Sequence, residues 1–257
     1  MNNLDDYARF RRDLTPKAHV LILGAGLVGC EFANDLVTSG HTVTLVEAGE
    51  RALQRMAPAS LSNRLQDTLQ ELGVQWHFGS SASAISREAN GYRVTLGNGI
   101  ELNADLVLSA TGLSPETALA HAAGLQVGRG ILVNDQLGTS AADIFALGDC
   151  VELGGLLLPY VLPLMQQARV LAGILSGSPG RLALPALPVA VKTPALPMVL
   201  CPPAAHSRGN WHCERDDSLG AIHHFLAEDQ SLLGFALACD ASGPRLELEA
   251  LDPALFC

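Results

Sequence analysis

Apolar and polar positions follow two different periods over the first hundred residues. Residues 20–23 (VLIL) form an all-apolar run, residues 27–38 carry apolar side chains at helical spacing, and residues 41–46 (HTVTLV) return to an apolar run. Short apolar runs of this kind read as strands, and the stretch between them as a helix. Leu61, Leu65, Leu69 and Leu72 recur every three to four residues, so a helix is expected over 58–72, stopped by Gly73. A short strand is expected over 74–78. Residues 82–87, 92–96 and 100–102 read as three strands, the last two joined by a turn at Gly97-Asn98-Gly99. The run 106–109 reads as a central, buried strand. Residues 2–12 suit a short helix capped at Asn2 or Asn3 and ended by Pro16.

The second half is patterned differently. Residues 118–123 form a helical turn, and strands are expected over 131–133 and 143–147 with turn-rich residues 136–140 between them. After Pro159 and Pro163 a helix is expected over 164–175, ended by Gly177 and Pro179. From residue 180 prolines punctuate the chain, and strands are expected at 220–226, 232–238 and 246–248. His223 and His224 fall on an alternating stretch and read as a strand with one wet face. The sum is an α/β fold with a small α+β or mostly β domain at its end.

The junction of the first apolar run and the first helix carries candidate chemistry. It reads Gly24-x-Gly26-x-x-Gly29, and Glu47 ends the second apolar run. Gly24 permits a tight strand-to-helix turn, Gly26 lets the backbone approach a pyrophosphate, and Gly29 allows close helix–strand packing. The helix start offers unpaired N–H groups and a positive dipole end to the phosphates. Glu47 accepts hydrogen bonds from ribose hydroxyls, and its charge opposes a 2′-phosphate, favouring NAD over NADP. Arg51 and Arg55 soften that preference, unless they are solvated arginines beside the next helix. A tight turn with no ligand is the alternative to the whole motif.

Charge and cysteine usage narrow the classes. The 257-residue chain has a formal net charge of −10, which argues against general nucleic-acid or anionic-membrane binding. No run reads as a transmembrane helix. Residues 182–200 are broken by Pro185, Pro188, Pro194 and Pro197, and residues 156–175 carry Gln166, Gln167 and Arg169. The polar, acidic start lacks a signal-peptide pattern, so a cytoplasmic location is expected. The six cysteines include no Cys-x-x-Cys. Cys201, His206, His212 and Cys213 fit no standard zinc spacing, and no metal is expected there.

Taken in order, GAGLVGCEFANDL, VEAGERAL, VLSATGLSPET, DIFALGDC and PYVLPLMQQARVLAG resemble the FAD- and NAD(P)-dependent pyridine nucleotide-disulfide oxidoreductase superfamily. VAVKTPALPMVLCPP and LLGFALACD narrow the likeness to rubredoxin–NAD reductases. The resemblance implies a connecting segment over 1–15, a Rossmann-like NAD-binding domain with a β-meander over 16–115, part of an FAD-binding domain over 116–178, and an acceptor-side domain over 179–257. In that family FAD takes hydride from NADH and passes electrons singly to a small iron protein such as rubredoxin, so the side chains need supply no acid, base or nucleophile.

Carried over by motif, Gly24, Gly26, Leu27, Val28, Gly29 and Glu47 would hold the dinucleotide. Glu31 would face the nicotinamide carboxamide, or is an acid favoured by the helix dipole. Ala110, Thr111 and Gly112 would line the cofactor path, or form a small-residue crossover. Gly148 and Asp149 would meet the FAD ribityl or pyrophosphate region, or form a solvated turn. Tyr160 and Val161 would supply backbone contacts at the flavin pyrimidine edge, where the dipole of the helix over 164–175 would stabilise reduced flavin. Lys192 would add positive charge there, or reach solvent from a proline-rich strand.

The chain departs from the family at its start. Residues 2–14 match the connecting segment, and the FAD ADP-binding unit that precedes it in the family is not seen. The expectation is an N-terminally truncated form whose isolated chain holds NADH but binds FAD poorly, the FAD half being a separate polypeptide or lost. The strands over 131–133 and 143–147 would then expose apolar edges. Two other readings stand beside the rubredoxin one. The first is another flavin reductase, of ferredoxin reductase or NADH oxidase type. The second is a non-catalytic NAD(H)-binding module or fragment.

Overall fold

The computed structural model describes residues 1–183, 188–204, 206–218 and 220–239. Two compact units divide the described residues: Met1–Gly112 together with those of 188–239, and the intervening ones from Leu113.

The first unit is organised on four parallel strands, β1 (His19–Leu23), β2 (Thr42–Val46), β3 (Gln75–His77) and β7 (Leu106–Ser109), in the order β3-β2-β1-β7. Val20, Leu21 and Ile22 are fully buried because β1 has a strand on each side. The chain steps outward from β1 through α2 (Leu27–Thr38), β2 and α3 (Ala59–Glu71) to β3, then returns to the other side of β1. That reversal places a switch point at the carboxyl ends of β1 and β7, beside the glycine-rich turn. Leu61, Leu65 and Leu69 bury the inner face of α3, whereas Leu72 at its end is exposed.

The strand expected to be central, β7, lies at the sheet edge among the described residues, and only Leu108 in it is buried. Its apolar run has another cause. Leu106 and Leu108 serve the main core, while Val107 serves a second core under the meander. That meander is β4 (Ala82–Glu88), β5 (Gly91–Leu96) and β6 (Glu101–Ala104), antiparallel in chain order. Val94, Leu96 and Ala104 pack with Leu21 and Val46. The leading helix α1 (Leu4–Asp13) is capped at Asn3, whose side chain accepts the Asp6 N–H at 2.9 Å, and Phe10 packs edge-on against Phe32 of α2 at 5.7 Å.

The second unit carries α4 (Ala118–Ala122), a three-stranded sheet of β8 (Ile131–Val133), β9 (Val151–Leu153) and β10 (Leu156–Leu157) in the order β10-β9-β8, and α5 (Val161–Leu175). Residues 143–147, expected as a strand, make a single bridge, Gly138 to Phe145. Asp143 sits at φ +60° in a turn, and no strand lies beside the run among the described residues. Its apolar side chains still serve a core: Phe145 and Leu147 pack against Leu137, Leu171 and Leu182. Helix α5 starts at Val161, three residues earlier than expected. Pro163 occupies its first turn, where a missing N–H costs nothing. Leu132, Ile144 and Leu156 are exposed in this unit.

The proline-punctuated tail returns to the first unit as a five-stranded antiparallel sheet. Its strands are β11 (Val189–Val191), β12 (Met198–Cys201), β13 (Asn210–Asp217), β14 (Gly220–Leu226) and β15 (Leu232–Cys239), in the order β11-β12-β15-β14-β13. Val191, Met198, Leu200, Ala221, Ala236 and Ala238 join the main core with Val20 and Leu61. Pro194 and Pro197 fall between β11 and β12 rather than in a strand, which reconciles the prolines with the sheet. The strand expected over 246–248 lies outside the described residues. No helix among the described residues is long and apolar enough to cross a membrane.

Candidate dinucleotide site

The three glycines have three separate reasons. Gly24 has φ +101°, and a Cβ there would lie 2.6 Å from the Ala110 carbonyl oxygen. A Cβ on Gly29 would overlap the Gly24 carbonyl oxygen. Both are required by packing alone. Gly26 is different: its backbone is ordinary (φ −76°), it is exposed, and a Cβ on it would meet nothing within 4 Å. Neither backbone strain nor crowding requires a glycine there. Gly26 is also the N-cap of α2, which has no side-chain cap and no acid in its first turn. The N–H groups of Leu27, Val28 and Gly29 therefore begin a helix with no acid in its first turn to meet them.

Glu47 stands where the spacing put it. Its carboxylate accepts the Ala25 N–H at 2.6 Å and the Gly49 N–H at 2.8 Å, pinning the glycine turn to the loop after β2. A carboxylate has about four acceptor positions, so room remains for ribose hydroxyls. Arg55 is exposed, whereas Arg51 is half-buried with its Nε buried and unpartnered, so it is not the solvated arginine of the blander reading. On the other side of β1, the Ala110 N–H donates to the Leu23 carbonyl at 2.8 Å. Thr111 and Gly112 follow, both exposed, with Gly112 at φ +132°. The structure thus gathers residues 24–29, Glu47 and Ala110 at one end of the sheet.

Glu31 and Lys192 also meet, through the backbone. Glu31 accepts the Lys192 N–H at 2.8 Å, and Asn34 Oδ1 accepts the Ala195 N–H at 3.2 Å. Two polar side chains of α2 thereby hold the β11–β12 turn. Glu31 lies in the second turn of α2, beyond the first-turn position on which a helix-dipole explanation depends. The Lys192 side chain is exposed. A cleft of about 370 Å³ between α1 and α2 shares Glu31 with this group, but its lining includes neither the glycine turn nor Glu47.

In the second unit, Gly148 (φ +91°) is buried and donates its N–H to Gln167 Oε1 of α5 at 2.6 Å. Gln167 is 2% exposed. It fixes the Gly148–Asp149 turn against α5, a link the sequence reading passed over. The available signal was a lone glutamine inside an apolar helical face. Asp149 is exposed. Tyr160 caps α5 without a side-chain bond, and burial raises its phenol pKa. Val161 is 72% exposed.

These residues fit a nicotinamide dinucleotide: an open, uncapped helix start, a glycine without another reason and an acid at ribose distance along the chain. For FAD the fit is partial. Asp149 and the uncapped start of α5 suit hydroxyls and a ring edge, but residues 24–29 are the one Gly-x-Gly-x-x-Gly in the sequence.

Residues 1–171 match the pyridine nucleotide-disulphide oxidoreductase family, and residues 181–250 match the rubredoxin binding C-terminal domain. The chain is 46% identical to a rubredoxin-NAD(+) reductase of Alcanivorax borkumensis, over all of this chain and 67% of that protein. It is 43% identical to a nitric oxide reductase FlRd-NAD(+) reductase of Aeromonas salmonicida, over 93% of this chain and 62% of that one. It thus spans about two thirds of the curated relatives it matches. Among solved structures, a ferredoxin reductase from Rhodopseudomonas palustris superposes with a TM-score of 0.82 at 26% identity, covering 93% of this chain and 60% of that one. The putidaredoxin reductase–putidaredoxin complex gives 0.81 at 25% identity, covering 92% and 58%. The chain therefore belongs to the pyridine nucleotide-disulphide oxidoreductase family, with a rubredoxin-binding type of C-terminal domain.

Proposed function

We propose that this chain carries the NADH-binding and acceptor-side parts of an FAD-dependent NADH:rubredoxin-type reductase. The observation that carries the reading is Gly26: an exposed, unstrained glycine at an uncapped helix start, facing open space beside Glu47. FAD, when bound, would accept hydride from NADH and release electrons one at a time to a small iron protein. The chain's own residues bind and orient. The turn 24–29 holds the pyrophosphate, Glu47 holds the adenosine ribose and disfavours a 2′-phosphate, and Ala110, Thr111 and Gly112 border the path beyond β7. Glu31 is the candidate for the carboxamide, with Lys192 as a source of positive charge. Gly148, Asp149, Tyr160 and Val161 are the flavin-side candidates in the second unit. The rubredoxin partner rests on the match of residues 181–250 and on the names of the relatives. The cytoplasm is the location this reading assigns.

The test is an acceptor panel with flavin-loaded protein that carries these residues. The expected result is faster NADH-dependent reduction of rubredoxin than of ferredoxin or dioxygen. Faster reduction of ferredoxin or dioxygen would favour the other flavin reductases. NADH affinity without flavin uptake or turnover, even with added FAD, would favour the non-catalytic module.

A further inference from the structure

The hairpin of β13 and β14 gathers three metal-ligating side chains that the electron-transfer reading does not use. Cys213 and His223 are cross-strand partners. Asp216 pairs with Ala221, two positions along β14, although Cys213 and Asp216 are three residues apart on β13. A regular strand would send residues 213 and 216 to opposite faces. The bulge between Cys213 and Arg215 adds one residue and returns Asp216 to the face of Cys213 and His223. One ligand atom from each of the three lies within 4.8 Å of the others.

His223 is the fixed member. It is 2% exposed, its Nε2 is 2.8 Å from Ser60 Oγ on α3, and its Nδ1 is buried without a partner. When Nε2–H donates to Ser60, Nδ1 presents a lone pair. An unmet buried nitrogen costs free energy that a cation would recover. Asp216 is also held from α3, where Arg64 donates to its Oδ1 at 3.0 Å. Two of the three ligands thus have a partner behind them, the usual support of a metal centre. Cys213 and Asp216 are exposed, so they can close onto the histidine and leave a fourth position to water.

We infer that Cys213, Asp216 and His223 form a site for a borderline-soft divalent cation of the zinc class, bridging β13 to β14 with Ser60 and Arg64 of α3 behind two of its ligands. A mixed sulfur, nitrogen and oxygen donor set suits zinc or cobalt and disfavours magnesium or calcium, which take oxygen ligands. Binding deprotonates the thiol and releases its proton to solvent.

The experiment uses the whole chain, stripped with a chelator and titrated with cobalt(II). The expected result is one cobalt per chain with a thiolate-to-metal charge-transfer band that zinc displaces. Cys213→Ser, at an exposed position, abolishes the band while the thermal melt of the metal-free protein stays unchanged. Ser60→Ala weakens cobalt binding by about tenfold or more. Zinc slows alkylation of Cys213, read by peptide mass mapping. A band that persists in Cys213→Ser, cobalt binding without a thiolate band, or alkylation of Cys213 indifferent to zinc would each overturn the site.

Discussion

Replacing Gly26 by serine separates fold from ligand binding. Gly26 caps α2, has φ −76°, and a side chain there would meet nothing within 4 Å. Serine is a slightly better N-cap than glycine, so the metal-free melt should hold or rise, by a few tenths of a kcal/mol. The same hydroxyl would take a helix N–H from the pyrophosphate and stand in its path. Loss of one charge-assisted hydrogen bond costs about 1.5–3 kcal/mol, so NADH should bind about 10- to 150-fold more weakly. Gly29→Ala is the contrasting control. Its Cβ would overlap the Gly24 carbonyl, and overpacking of that kind costs about 1–3 kcal/mol or more, so both the melt and NADH affinity should fall. The assay is calorimetric titration with NADH beside thermal unfolding of each variant. Natural NADH affinity in Gly26→Ser, or a natural melt in Gly29→Ala, would refute the division of labour among the glycines.

Other outcomes follow from the same geometry. Glu47→Ala strands the Ala25 and Gly49 N–H groups and removes the carboxylate proposed to hold the ribose. Titration should show weaker NADH binding and a loss of preference for NADH over NADPH. Gln167→Leu leaves the buried Gly148 N–H without its acceptor and should destabilise the protein by about 1–3 kcal/mol in denaturant unfolding. In native, chelated protein, an alkylating reagent should modify exposed Cys213 well before buried Cys201 or Cys30, whose thiol pKa is raised by desolvation; peptide mass mapping reads the order.

The first hundred residues were legible because local pattern and tertiary demand agree there. The glycine turn, α2, α3 and the meander each announce themselves within a dozen residues, and their ends fall within a few positions of those expected. The misreadings have a common cause. The run at 106–109 and the run at 143–147 are apolar because they serve cores, and periodicity cannot say which strand, if any, lies alongside. Strands β11, β12 and β13 were hidden by prolines in their connections and by a polar face on β13. At the site, Glu47 and the glycines are legible because one local motif contains them. The Glu31–Lys192 and Asn34–Ala195 bonds join residues 161 positions apart, and the Gln167–Gly148 bond spans 19. Long-range partnerships of that kind leave no periodic trace. The face shared by Cys213 and Asp216 depends on a bulge, which strand alternation alone would have denied.

The most direct measurement is a calorimetric titration of folded, purified chain with NADH and, separately, with NADPH. The expected result is saturable one-site binding of NADH and weaker binding of NADPH. Well-folded protein that gives no saturable heat with NADH would contradict the dinucleotide site, and with it the reductase reading built on residues 24–29 and Glu47.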